Sequence, residues 1–324
     1  MSIWIFTHGD GDGLCAGALA LAANPGAQVF FTHPYGLLGD LEQVKAQDKV
    51  IICDIALSES HLPKILDKFR EIVQSGELLY IDHHPLPELL SKHELPGRIY
   101  HSLGSSTSEL VYSIFQGCLD PLLSRVAIYG AVSDYLDNTP LIGQLLKKWD
   151  KRTVYLETGI LVQGLQEMKR EHNFKRIIIS NLANNVPPSF HSMLVDLAIQ
   201  STHREEVVFR ELKEHIQTHG EIAYALNVPF SLGKTAIYTM ALAGAIIGIA
   251  GEKRGNFIDM SIRTSEKNLD LNRLLRHVAP KYGGSGGGHP AAAGARIPEG
   301  SFSDFIKNLD EAVRNLRKIE KDAE

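Results

Sequence analysis

The stretch Asp82-His83-His84-Pro85 constrains this chain more than any other. It follows the apolar run Leu78-Leu79-Tyr80-Ile81 and is stopped by a proline, the pattern of a buried strand running out into a loop. Two adjacent histidines and an acid at the carboxyl end of a strand sit where open α/β sheets place their chemistry. Two earlier apolar runs end in the same way. Ile3 to Phe6 leads into Thr7-His8-Gly9-Asp10-Gly11-Asp12-Gly13, and Val50-Ile51-Ile52-Cys53 leads into Asp54. Each feature alone has a plain reading: Asp-Gly alternation makes turns, paired histidines sit on surfaces, and a lone aspartate caps a helix. Acids and histidines at three strand ends at once need another explanation, because strand ends converge in a parallel sheet.

The periodicity supports such a sheet. Leu14 to Ala23 reads as a helix of small residues closed by Asn24-Pro25-Gly26, and Val29 to Thr32 as a second strand. Ser58 to Val73 carries Leu62, Ile65, Leu66, Phe69, Ile72 and Val73 at helical spacing, with Gly76 just beyond. Alternation of strand and helix argues for parallel strands joined by crossover helices. Ser106-Thr107-Ser108-Glu109 fits a capping box opening a helix to about Phe115. Asp120-Pro121 opens another, running to Ser133-Asp134. From Leu141 to about His219 the chain reads as mainly helical, interrupted at Asn184 to Pro188, with Ser192 to Thr218 as one long connecting helix. Beyond Glu221 the expected elements are a strand (Ile222 to Leu226), a helix (Thr235 to Ala250) and a strand of alternating polarity (Phe257 to Arg263). A helix (Leu269 to Val278), a glycine loop (Gly283 to His289) and a charged terminal helix (Phe302 to Ile319) follow.

Charge then points to metal. Asp10, Asp12, Asp54 and Asp134 gathered in one pocket would carry four negative charges, which cannot persist together uncompensated. Two divalent cations cancel them. Imidazoles beside carboxylates suit Mn, Fe, Co or Zn, and Mg where carboxylates dominate. In an extended segment, His8, Asp10 and Asp12 would point the same way, and the helix that follows offers its N-terminus to an anion. The glycine loop lacks the Lys-Ser or Lys-Thr of a Walker A motif, but its amides could form an anion nest. Between Glu252 and Arg296 eight basic residues face four acids, a local +4 in a chain of net charge -5.

The ordered set His8-x-Asp10-x-Asp12-Gly13, Asp54, Asp82-His83-His84 and Ser133-Asp134 resembles the four motifs of the DHH phosphoesterase superfamily. Gly286-Gly287-Gly288-His289-Pro290 with the alanines after it is similar to the signature of the associated DHHA1 domain, so the resemblance is to the RecJ-like exonuclease and oligoribonuclease type. It implies that His8, Asp10 and Asp54 hold one metal, and that Asp12, Asp54, His83 and Asp134 hold the other, with Asp54 bridging. It implies that His84 stands beside the scissile phosphate, that Asp82 orients a histidine, and that Arg263, Gly286, Gly287, Gly288 and His289 bind substrate. Asp137 is a weaker substitute for Asp134. His33 and His101 read as structural or exposed, Arg296 as a weaker phosphate contact, and Arg273 and Arg276 as a solvated helix face. Inorganic pyrophosphatase is disfavoured, since that branch carries a different second domain without the GGGH loop.

The reading is an α/β protein. A parallel-sheet DHH domain with helices on both faces spans 1–190, a helical connector 191–220, and a smaller α/β DHHA1 domain 221–324. The expected activity is hydrolysis of short single-stranded RNA or DNA from one end to nucleoside 5′-monophosphates, with two divalent ions, Mn²⁺ before Mg²⁺ or Co²⁺. The acidic balance disfavours a long basic track for long substrates. The alternatives are hydrolysis of a small nucleotide (a cyclic dinucleotide or 3′-phosphoadenosine phosphate) and a non-catalytic scaffold binding nucleic acid or a replication partner. Three scattered cysteines and the absence of a signal-like N-terminus suggest a cytoplasmic protein, and no run reads as a membrane span. Protein partners are not legible, and a homodimer is left open.

Overall fold

A computed structural model describes residues 1–88, 90–168 and 171–321. Tertiary contacts divide the chain into two units, Met1–Ser201 and Thr202–Glu324. The last three residues of the span expected for the second domain lie outside the described residues.

The first unit is built on a five-stranded, wholly parallel sheet of order β2-β1-β3-β4-β5. Its strands are β1 (Ile3–Thr7), β2 (Gln28–Phe31), β3 (Lys49–Cys53), β4 (Glu77–Asp82) and β5 (Arg98–His101). The last was not expected from the sequence, because its four residues carry little periodicity. Side-chain alternation splits the apolar strand residues between two cores. Ile5, Ile51, Leu79 and Ile81 pack with α1 (Gly11–Ala23), while Phe6, Val50, Ile52, Leu78 and Tyr80 face α2 (Leu37–Asp40) and α3 (Leu62–Ser75). Burial on both faces explains why the strands read as continuous hydrophobic runs. The α1 side also holds α4 (Thr107–Phe115), α5 (Ser124–Ser133), α6 (Pro140–Leu146), α7 (Lys151–Met168) and α8 (His172–Ala183).

The expected long helix from Ser192 is shorter. It forms α9 (Ser192–Glu211), a 3-10 turn follows, and β6 (Gln217–His219) takes the residues expected as its end. The second unit has a six-stranded mixed sheet, β10-β11-β9-β8-β7-β6. In chain order it comprises β6, β7 (Ile222–Leu226), α10 (Leu232–Ala243), β8 (Ile247–Arg254) and β9 (Phe257–Thr264). It continues through α11 (Leu271–Val278), β10 (Ser285–Gly288), β11 (Ala292–Pro298) and α12 (Phe302–Lys321).

Two expectations fail here. The run expected as a helix to Ala250 is α10 followed by β8. Gly244 closes α10 in a left-handed conformation (φ 63°), and Ile247 and Ile249 then pair in the sheet. A short apolar run without polar punctuation does not declare its period. The glycine loop is also no loop. Ser285–Gly288 pairs antiparallel with β11 as an edge strand, so part of its amide set is spent in the sheet rather than in a nest. Pro290 and Ala291 are the hairpin turn, closed by the His289 amide donating to the Ala292 carbonyl at 2.9 Å.

Candidate metal centre

Register brings the strand ends into line. Thr7 pairs with Cys53, and Cys53 with Ile81, so His8, Asp54 and Asp82 occupy the next row of three adjacent strands. The order 2-1-3-4-5 reverses between β1 and β3, the switch point at which such sheets open a crevice.

The β1–α1 connection differs from the extended segment expected. Helix α1 begins at Gly11, with Asp10 as its N-cap accepting from the Gly13 amide at 3.0 Å. Asp12 therefore lies in the first helical turn, buried, and not in line with His8 and Asp10 along a strand. A different element supports it: the α4 amides of Thr107 and Ser108 donate to its two oxygens at 2.6 and 2.9 Å. The capping box revealed that helix start, but nothing in the sequence showed what it would face. Close approach from α5 needs Gly130, where a Cβ would stand 2.5 Å from an Asp12 oxygen and 2.1 Å from Ser108 Oγ. Asp134 is the C-cap of α5.

Asp54 leaves β3 in the left-handed region (φ 60°), which aspartate tolerates better than most residues. It is 2% exposed and has both His83 Nε2 (3.3 Å from Oδ1) and Thr107 Oγ1 (3.2 Å) beside it. His83 Nε2 also stands 3.4 Å from Asp134 Oδ2 and 4.0 Å from Asp12 Oδ2. Next to it, Asp82 accepts from the His84 amide (3.2 Å) and faces His84 Nδ1 at 2.8 Å. The Tyr80 hydroxyl donates to the Ile55 carbonyl at 2.8 Å and lies 3.0 Å from Asp82. His101, at the end of β5, places Nε2 2.7 Å from the His84 carbonyl, a supporting role in keeping with the structural reading.

The electrostatics are those of crowded like charges. Burial raises Asp54 well above the carboxylate range, and Asp10, Asp12, Asp134 and Asp82 push it further. Asp134 is likewise raised, by burial and then by Asp12 and Asp10, and Asp12 is raised by burial. Asp10 escapes: burial would raise it, but His8 at 2.6 Å and the Gly13 amide hold it low. Burial lowers His83. Burial also opposes protonation of His84, yet the Asp82 carboxylate pushes it up to about 9.

These residues fit a pair of divalent cations. Asp54 Oδ2 is buried without a hydrogen-bond donor. His8, Asp10 and Asp54 offer ligand atoms within 4.8 Å of one another, and so do Asp12, Asp54 and His83, with Asp54 common to both sets. Ligand bonds of ~2.1 Å put neighbouring ligand atoms roughly 3.0 to 3.5 Å apart. The 3.3 and 3.4 Å spacings around His83 match that shell. Neither Asp134 nor Asp137 belongs to these sets, but Asp134 Oδ2 stands 3.4 Å from His83 Nε2, whereas Asp137 accepts from Tyr155 OH at 3.0 Å. His33 lies in the turn after β2.

The second unit's expected residues are placed by its own sheet. Arg263 on β9 donates to Ser261 Oγ (2.8 Å) and the Ile262 carbonyl (3.0 Å). Gly286, Gly287 and Gly288 form β10, and the Gly288 amide donates to Asn272 Oδ1 at 3.1 Å. Asn272 also accepts from Arg276 at 3.0 Å, so Arg276 lies beside the glycine strand, while Arg273 stays exposed. Arg296 pairs with Asp259 at 3.3 Å and covers the Phe257 ring.

The family model of the DHH N-terminal domain matches residues 2–137, and that of the DHHA1 domain residues 235–315. The chain belongs to the DHH superfamily, with a C-terminal DHHA1 domain. That superfamily consists of metal-dependent phosphoesterases. No curated protein matches this DHH chain in sequence. Among solved structures it is similar to the DHH domain of a member of a family of ribosomal proteins, at 15% identity and TM-score 0.73 over 96% of this chain and 86% of that one. RecJ from Thermus thermophilus, in complex with Mn²⁺, is similar at 16% identity and TM-score 0.68, over 97% of this chain and 52% of RecJ. The pGpG-specific phosphodiesterase PggH from Vibrio cholerae is similar at 13% identity and TM-score 0.60, over 97% of this chain and 99% of PggH. Among the described residues no helix is long and apolar enough to cross a membrane.

Proposed function

We propose that the chain is a two-metal phosphodiesterase that shortens short single-stranded RNA or DNA from an end, releasing nucleoside 5′-monophosphates. Asp54 carries the reading: a buried carboxylate shared by two ligand sets, with one oxygen left without a donor. His8 and Asp10 would hold one ion with it; Asp12, His83 and Asp134 would hold the other. When bound, such a pair supplies a nucleophile from water at neutral pH and offsets phosphoryl charge. The protein's own groups do the rest. The Thr107 and Ser108 amides orient Asp12, and Asp82 fixes His84 at the rim of the site and favours its protonated form. A protonated His84 can donate to a phosphoryl or leaving oxygen. Arg263 and the glycine strand ending at His289 are assigned to substrate binding, and Mn²⁺ is the ion of choice, with Mg²⁺ or Co²⁺ as substitutes.

A second reading is hydrolysis of a small dinucleotide, the kind of substrate named for the pGpG-specific phosphodiesterase PggH, whose fold this chain shares. The test is Mn²⁺-dependent hydrolysis of end-labelled RNA and DNA from about two to about twenty-four nucleotides, with cyclic and linear dinucleotides alongside. Preference for the shortest oligomers over a range of sequences supports the oligonuclease. Turnover confined to one dinucleotide transfers the role to nucleotide signalling. No hydrolysis with any divalent ion overturns both and leaves the scaffold reading.

A further inference from the structure

Lys175 lies on α8, outside both segments matched by the family models, yet it is 6% exposed. Lysine is almost never buried so deeply unless paired. Its Nζ donates to the Gly9 carbonyl at 2.5 Å. Gly9 stands between His8 and Asp10, and a Cβ added there would meet Nζ at 3.1 Å, so the ammonium rests directly on the loop backbone. The peptide unit is planar, so holding the Gly9 oxygen holds the plane that leads into the Asp10 Cα. Burial pulls the lysine's pKa down while Asp10 pushes it up. A buried ammonium is a poor choice for stability alone, since an apolar side chain of similar size often serves as well.

We infer that Lys175 is a positioning residue for the His8 and Asp10 half of the metal centre, clamping the Gly9 carbonyl so that this half is preorganised for a divalent cation. The inference rests on the two-metal reading. It opposes what simple Coulomb repulsion expects. A fixed cation beside a cation site should weaken metal binding, so its removal should tighten it; loss of a clamp should weaken it.

The test is titration of the metal-free full chain with Mn²⁺, following free Mn²⁺ by its paramagnetic resonance signal, with the melting temperature as a check on folding. Wild type should bind two ions. Lys175→Met should keep one and bind the other about 10- to 100-fold more weakly, the usual cost of losing a group that orients a ligand. Gly9→Ala, which presses on the ammonium from the other side, should weaken the same ion. Equal or tighter binding of both ions by Lys175→Met overturns the inference and leaves the two-metal reading intact. If Lys175→Met does not fold, Gly9→Ala decides, and undiminished binding there overturns the inference. A wild type that binds no Mn²⁺ overturns the two-metal reading and the inference with it.

Discussion

At the scale of single residues, Asp54 does what no neighbour can replace. It is buried, held in a left-handed conformation, and common to both ligand sets. Asp54→Ala or His83→Ala should lower turnover by at least about a thousandfold, since each removes more than one preorganised contact from the transition state. Steady-state rates for Asp54→Ala near those of wild type would remove the bridging assignment. The His84–Asp82 pair makes a separate prediction for metal-free protein. His84 moves from its ordinary 6.5 up to about 9, so its contribution to stability is complete below the ordinary value and is lost as pH rises through about 9. Burial would raise Asp82, but His84 holds it low, so its own contribution is present above 3.8 and is lost as pH falls through its lowered value. Denaturant unfolding in a chelator should therefore show wild type losing more stability than Asp82→Asn between about pH 6.5 and about pH 9.5. Parallel pH profiles for the two would refute the pairing. His8, Asp12, His83 and Asp134 were legible as candidates because acids and histidines recur at the ends of several apolar runs at once. Thr107, Ser108 and Lys175 were not, because each acts through a backbone group, Thr107 and Ser108 by their amides and Lys175 on a carbonyl, and no sequence pattern names the receiver.

At the scale of elements, helix starts were easier to read than their orientation. Ser106 accepts from the Glu109 amide at 3.2 Å, as a capping box should, but the Glu109 carboxylate is taken by Thr139 Oγ1 at 2.8 Å. The Thr107 and Ser108 amides, which no capping-box side chain uses, serve Asp12. The misread boundary between α10 and β8 falls at Gly244, beyond which the two elements pack closely. Gly248 lets the two elements meet, and a Cβ there would stand 2.0 Å from the Ala236 carbonyl. Gly248→Ala should cost about 1 to 3 kcal/mol, the range for overpacking a close contact, read as a lower melting temperature by calorimetry. An unchanged melting temperature would mean that α10 can shift away from the sheet. The glycine strand shows the same limit from the other side. Without side chains it has no hydrophobic period, and only pairing with β11 makes it a strand.

At the scale of the whole molecule, each of the two units carries its own sheet and core. The catalytic residues proposed all belong to the first, and Arg263 and the glycine strand to the second. If the second unit holds substrate, Arg263→Ala should raise KM by about 10- to 100-fold with a much smaller effect on kcat, as expected for a charge-assisted contact made equally before and during reaction. A fall in kcat at unchanged KM would move Arg263 into the chemical step. Metal should also stabilise the chain by mass action. Mn²⁺ at one hundred times its Kd adds about 2.7 kcal/mol per site, which a chelator should remove as a lower melting temperature.

What the sequence determined by itself was the inventory and its coarse placement: apolar runs that end in acids and histidines, alternating strand and helix, and a parallel sheet with two covered faces. Those are local properties, set by periodicity and by the residues that stop it. Only the tertiary structure decided the register that puts His8, Asp54 and Asp82 in one row, the helical rather than extended setting of Asp12, and the approach of α4, α5 and α8 to the site. These depend on packing between residues up to 166 positions apart, where burial and backbone hydrogen bonding select one arrangement that no short window of sequence encodes.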